Sequence, residues 1–206
     1  MIEAKAVDWA KGDGLCPVIV QDVLTRQVLM LGYMNEAALQ KTQKSGWVTF
    51  WSRSRKELWT KGETSGNRFK LSKVSLDCDA DTILCEVKPE GPACHTGTVT
   101  CFGDDPGPGL GFIGHLERII DSRKKKNPEK SYVARLMARA PKKPAQKVGE
   151  EGVEVAMAAV SEDDKALAAE AADLIFHLMV LIRSRGLKMA DVLKVLRERH
   201  AERAAS

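Results

Sequence analysis

The chain has 206 residues, of which 44% are hydrophobic and 29% charged, with a formal net charge of +4. That length allows one large domain or two of about 100 residues. The composition excludes a mainly disordered, collagen-like or membrane-embedded chain. The opening Met1-Ile2-Glu3-Ala4-Lys5 leads into charged, Gly-rich sequence and not an apolar signal core, so a cytoplasmic protein is expected.

Pro17 to Met34 predicts a hairpin, with Val18-Ile19-Val20 and Val28-Leu29-Met30-Leu31 flanking a polar turn near Asp22 to Arg26. Asn35 predicts an N-cap for a helix over Glu36 to Lys44, stopped near Gly46. Trp47 to Trp51, Phe69 to Leu76 and Thr82 to Val87 are strand candidates. The first half is therefore expected to be α+β, a small mixed sheet with one helix. Gly103-Asp104-Asp105-Pro106-Gly107-Pro108-Gly109 can propagate neither helix nor strand, so domains are expected at 1–108 and 109–206. Beyond it, Ile113 to Lys126, Ser131 to Arg139, Ala145 to Val160, Lys165 to Arg185 and Met189 to Ala204 predict an all-α helical bundle. No internal repeat is present, which argues against a solenoid.

The two halves also differ in chemistry. Residues 1–110 hold all five cysteines and all four tryptophans, with 13 Lys and Arg against 14 Asp and Glu; residues 111–206 hold 19 against 14. An odd cysteine count in a reducing compartment points to ligands or buried thiols and away from disulfides. Asp77-Cys78-Asp79-Ala80-Asp81 and Cys94-His95, with Cys101 downstream, crowd sulfur, imidazole and carboxylate into 25 residues. Thiolates suit Zn2+, and three would leave an open position for water. Asp77, Asp79 and Asp81 alternate, so an extended segment would put them on one face for Mg2+. Cys16 and Cys85 are expected in the core. The stretch from Trp51 to Arg68 mixes cations, hydroxyls, glycines and rings suited to gripping phosphate and stacking a base.

Residues from about Leu29 to Phe102 closely resemble phosphoribosyl-AMP cyclohydrolase of histidine biosynthesis, through SRSR, LWTKGETSGN, DCDAD and GPACHTGTVTCF. The resemblance implies hydrolytic attack on C6 of the adenine ring of N1-phosphoribosyl-AMP, opening the N1–C6 bond. It implies zinc on Cys78, Cys94 and Cys101 with thiolates from two subunits, Mg2+ on Asp77, Asp79 and Asp81, and proton transfer by His95. Trp51, Arg53, Ser54, Arg55, Lys61, Gly62, Thr64, Ser65 and Asn67 are the substrate-binding candidates, and dimerisation would be a condition of activity. Thr100, where serine is common before the last zinc cysteine, is a departure that touches no ligand.

In the second half, Glu150 and Glu154 are four apart, Glu151 and Glu154 three, and Glu170 and Asp173 three, so each set lies along one helical face. Like charges stacked so repel unless a cation sits between them, which makes paired acidic helices a cradle for Mg2+. Val153, Val155, Val160, Leu167, Leu174, Ile175, Leu178 and Leu181 are expected to pack the two helices antiparallel across a turn at Ser161 to Asp164. The basic run Arg123 to Lys126, with Lys142 and Lys143, suits a polyphosphate tail. Residues from about Leu116 to Leu187 look like phosphoribosyl-ATP pyrophosphohydrolase, of the all-α superfamily marked by E-E-x-x-E followed by E-x-x-D. That resemblance implies Mg2+ on Glu150, Glu151, Glu154, Glu170 and Asp173, release of pyrophosphate by water, and Lys147 as a phosphate contact.

The joint expectation is a bifunctional homodimer in which the second half makes the substrate of the first. Its partners are small nucleotides, neither nucleic acid nor membrane. Two rivals use some of the same residues: a zinc nucleotide deaminase fused to a general nucleotide pyrophosphatase, and a nucleic-acid module with a structural zinc.

Overall fold

Cys16-Pro17-Val18-Ile19-Val20-Gln21-Asp22 alternates buried and half-buried side chains along its length, and this strand, β1 (Cys16–Asp22), lies inside a four-stranded sheet. It pairs antiparallel with β2 (Val28–Met34) and parallel with β6 (Ile83–Pro89), and β5 (Phe69–Leu76) closes the other edge antiparallel to β6. The order β2-β1-β6-β5 makes the sheet mixed, as expected. The computed structural model describes residues 1–103 and 109–204. Residues 104–108, the centre of the Gly/Pro run, lie outside the described residues. The chain divides into two compact units, Met1–Phe112 and Ile113–Ser206.

Local chemistry accounts for the turns of the first unit. Asp22 Oδ1 accepts from the Leu24 amide at 2.9 Å, and Arg26 takes the left-handed conformation (φ 60°) that returns the chain into β2. Asn35 caps α1 (Glu36–Ser45) by accepting from the Ala38 amide at 2.9 Å, and Gly46 ends it at φ 75°. β5 shifts register between Leu71 and Lys73, which is why its apolar residues run Phe69, Leu71, then Val74, Leu76. Val18, Val20, Leu29, Met34, Leu39, Val48, Phe50, Phe69, Ile83 and Val87 form a core with no exposed surface. Cys16 and Cys85 belong to it; burial pushes their thiols up to about 11 and about 12, so neither is a ready ligand.

From its composition, the segment from Trp51 to Arg68 reads as a mixture of cations, hydroxyls, glycines and rings, with no strand assigned beyond Trp51. The structure instead folds it into a second hairpin, β3 (Thr49–Ser52) against β4 (Glu57–Thr60), with Lys56 at φ 57° in the turn. β4 is short and carries Glu57 and Thr60, so it lacks the apolar run that flags a strand; pairing with Phe50 and Trp51 makes it one.

In the second unit, α2 (Gly111–Arg123), α3 (Tyr132–Met137), α4 (Lys142–Ser161), α5 (Asp164–Ser184) and α6 (Met189–Ala204) follow in order. Asp163 accepts from the Ala166 amide at 2.8 Å and caps α5, which starts just after α4 ends and runs back along it. Ile120, Val133, Leu136, Met179 and Val180 form the core. Arg183 grips both oxygens of Asp121 at 2.6 and 2.7 Å, tying α5 to α2. Val153, Val160 and Ile175 are expected between α4 and α5, yet all three are exposed. Glu151 and Ala158, seven residues apart and both buried, occupy the inward stripe of α4, while Val153, Met157 and Val160 form an outward one. α6 has no buried residue.

Candidate functional site

The first site lies at the end of the sheet where β5 turns into β6. Asp77, Asp79 and Asp81 present carboxylate oxygens within 4.8 Å of one another. The expected extended segment is in fact a tight turn. Ala80 sits at φ 63°, and Asp77 Oδ1 accepts from the amides of Asp81 and Thr82, each at 3.1 Å, so the chain wraps around the Asp77 carboxylate. The turn, not strand alternation, brings the three oxygens together. Lys11, which the sequence did not suggest, puts its ammonium 2.7 Å from Asp79 and 3.3 Å from Asp81. The cluster thus holds a cation of the protein's own. Cys78 is exposed on the same turn.

Cys94 and Cys101 come from the segment after β6. The Cys101 amide donates to the Leu29 carbonyl at 2.8 Å, anchoring that segment to β2. The Thr96 hydroxyl donates to Cys94 Sγ at 3.0 Å, and this bond, aided by the Thr96 amide and the Thr98 hydroxyl, brings the thiol down to about 6. Burial pushes the Cys101 thiol up, and the neighbouring Cys94 adds to that. His95 is exposed, its Nδ1 3.9 Å from Cys94 Sγ. Among the described residues, no set of three converging ligand atoms within one chain includes a cysteine. In metal-free protein, alkylation of Cys94 should therefore follow a titration near pH 6, the rate falling below it as the thiol protonates. Thr96→Val should move the midpoint upward; peptide-mapped iodoacetamide rates against pH measure both.

The hairpin residues named from the sequence are distributed as follows. Arg53 stacks on the Tyr33 ring at 3.9 Å, Ser54 Oγ lies 3.3 Å from Ser52 Oγ, and Arg55 pairs with Glu57 at 3.2 Å. Trp51 is half-buried opposite Leu58 in the β3–β4 pair, and Thr64 and Ser65 are exposed. Lys61 is the unusual one. It is only 9% exposed, its Nζ lies 5.1 Å over the Phe69 ring, and among the described residues no carboxylate forms an ion pair with it. Burial pushes its pKa down, while the thiolates of Cys101 and Cys94 act on it in the opposite sense. Gly62, next to it, sits at φ +78°, and a Cβ there would fall 2.3 Å from the Asn67 backbone. Gly62→Ala should cost on the order of 2 kcal/mol, seen as a lowered denaturant midpoint.

The second site lies between α4 and α5. Glu151, Glu154 and Glu170 bring ligand oxygens within 4.8 Å of one another, with Glu151 buried, Glu170 half-buried and Glu154 exposed. Lys147 Nζ binds Glu151 at 2.6 Å and Glu150 at 3.1 Å, and this contact holds the Glu151 carboxyl below its ordinary range. The Glu154 carboxyl is pushed up, first by its hydrogen bond with Glu151 and also by the charge of Glu170. Two predicted members stand apart: Glu150 is held by Lys147 and by Gln146 at 2.6 Å, and Asp173 is exposed. Lys147, expected on phosphate, is bound to carboxylates. Two residues assigned no role from the sequence join the site. His177 Nδ1 lies 3.4 Å from Glu151, and Tyr132 from α3 meets His177 Nε2 at 2.8 Å. Their separation of 45 positions hides that contact from any spacing argument.

Residues 30–103 match the family model for phosphoribosyl-AMP cyclohydrolase, and residues 113–200 match the one for phosphoribosyl-ATP pyrophosphohydrolase. These matches define an enzyme, with two hydrolase domains in one chain. Similar proteins align with it over almost their whole length. The histidine biosynthesis bifunctional protein HisIE of Photobacterium profundum is 53% identical over 199 residues, 94% of this chain and 96% of that one. A protein of the same name from Vibrio vulnificus is 54% identical over 199 residues, 96% of this chain and 94% of its own. The chain belongs to this bifunctional family of histidine biosynthesis, with its cyclohydrolase and pyrophosphohydrolase domains. No helix of the described residues is long and apolar enough to cross a membrane.

Proposed function

We propose that the second unit hydrolyses phosphoribosyl-ATP to phosphoribosyl-AMP and pyrophosphate with Mg2+, and that the first then opens the adenine ring of phosphoribosyl-AMP with Zn2+, in the cytoplasm. The observation that carries this reading is the pair of separate cation-seeking clusters, each inside its matching family domain. We place the boundary between the two domains in the Gly/Pro run, giving 1–108 and 109–206, a few residues before the division of the compact units at Phe112.

In the second unit, Glu151, Glu154 and Glu170 are the first choice for Mg2+, whose charge would neutralise a triphosphate. Glu150 and Asp173 flank them. Lys147 keeps Glu151 ionised and so ready to bind a cation, and it lies close to where phosphate oxygens would arrive. The raised pKa of Glu154 makes that carboxylate a better proton acceptor than Glu151 for an attacking water.

In the first unit, the donor set fits zinc. Cys94 is a thiolate at neutral pH, Cys101 is beside it, and the exposed Cys78 is accessible to the Cys94 and Cys101 of a second copy. Zinc held by three thiolates supplies a water acidic enough to react at neutral pH. Lys61 offsets part of the thiolate charge from its buried position, and exposed His95 next to Cys94 is placed to move a proton to or from the purine. Asp77, Asp79 and Asp81 would hold Mg2+ in exchange for Lys11. Arg53, Ser54, Arg55, Gly62, Thr64, Ser65 and Asn67, with Trp51, supply cations, hydroxyls and a ring for the phosphates and the base. A homodimer follows from the shared zinc site, and the outward stripe Val153, Met157 and Val160 on α4, with Ile175 on α5, offers the second unit an apolar face for its copy.

Incubation with phosphoribosyl-ATP, followed by mass spectrometry, tests the whole reading. Both products should form in sequence, and a zinc chelator should stop the reaction at phosphoribosyl-AMP. Equal turnover of ATP and AMP would favour the deaminase rival and overturn it.

A further inference from the structure

The pair Tyr132 and His177 lies outside the acidic motif, yet it is built into the cage. His177 is 5% exposed, and both ring nitrogens are engaged. Nδ1 makes its hydrogen bond to the Asp173 carbonyl at 2.9 Å, so this nitrogen carries a proton, and the Glu151 carboxylate lies against the same nitrogen at 3.4 Å. Nε2 meets the Tyr132 hydroxyl at 2.8 Å, and Phe176 stacks on the Tyr132 ring at 6.1 Å. The imidazole therefore cannot turn without losing a bond at each end. Glu151 Oε1 faces both Lys147 and His177, on the carboxylate that also meets Glu154.

We infer that Tyr132 and His177 are positioning residues that fix the Glu151 carboxylate in its metal-binding orientation, with α3 supplying the outer anchor. A ligand whose orientation is set by its neighbours before the ion arrives binds metal more tightly; losing such support costs roughly 10–100-fold in affinity. A histidine of the core alone would need no carboxylate partner from another helix. The Asp173 of the acidic motif contributes here through its backbone carbonyl, one turn before His177.

This inference rests on the cage being a divalent-cation site, and the test separates the two. Mn2+ alone is titrated into the full chain by calorimetry and electron paramagnetic resonance. The component lost in Glu154→Gln is the cage; absence of such a component would remove the cation site and this inference with it. Given that component, His177→Leu should weaken it about tenfold or more and Tyr132→Phe several-fold. His177→Asn, which keeps a donor near the Nδ1 position, should recover much of the affinity. The kcat of pyrophosphate release should fall in the same order while ring opening is unchanged. Unaltered Mn2+ affinity in the Leu and Phe variants, with only a lower melting temperature, would make the pair a packing contact and overturn the inference. Should His177→Leu fail to fold, Tyr132→Phe, which deletes one hydroxyl, decides alone.

Discussion

Cys94→Ser is expected to lower ring opening of phosphoribosyl-AMP by at least about 10³-fold, a loss of about 4 kcal/mol in barrier stabilisation, while pyrophosphate release continues at the wild-type rate. The Cys94 thiol is brought down to about 6, so in the proposed site it would bind zinc without first giving up a proton at neutral pH. Serine preserves the size and the contact with Thr96 but replaces a soft sulfur by a hydroxyl that stays protonated. Zinc measured by atomic absorption should fall to background in the variant. Full zinc content with normal ring opening would remove sulfur ligation from the mechanism, and loss of both activities in a folded protein would break the division into two sites.

Glu154→Gln is expected to do the reverse, cutting pyrophosphate release by about 10³-fold or more and leaving ring opening intact. The substitution is nearly isosteric, so α4 should keep its packing. It replaces one of three converging carboxylates by a neutral amide, the one whose proton affinity is raised by Glu151 and Glu170. The same raised pKa sets the pH dependence. As pH falls, Glu154 protonates before Glu151, which Lys147 holds down. Pyrophosphate release should thus weaken with acidification at a higher pH than an ordinary carboxylate would give, and added Mg2+ should push that limb downward, because the cation competes with the proton. An acid limb independent of Mg2+ would count against Glu154 as a ligand.

Much of the fold was legible because its signals are local. Asn35 and Gly46 bracket α1, the Val18 and Val28 runs pair across the Asp22–Arg26 turn, and the turn at Ser161 to Asp164 separates α4 from α5. The strand β4 was not, since Glu57 and Thr60 become strand residues only through the partner they pair with. The faces of α4 were misjudged for a related reason. Val153 and Val160 look like core, but Glu151 turns inward with Ala158, because Lys147 there satisfies its charge. A buried carboxylate with its partners costs less than one without.

Composition and motif alone determined that this chain carries two chemistries, sulfur with carboxylate in the first half and carboxylate alone in the second. Residue identity fixes which ions and bonds a segment favours, and the short spacings of D-x-D-x-D and E-E-x-x-E confine those groups to one turn or one helical face. Tertiary structure decided which members meet. It selected Glu151, Glu154 and Glu170 over Glu150 and Asp173, put Lys11 on the aspartate turn and buried Lys61 within reach of the thiolate charge, and brought Tyr132 and His177 behind Glu151. Contacts between residues 45 to 70 positions apart depend on where whole elements dock, and no periodicity along the chain encodes that.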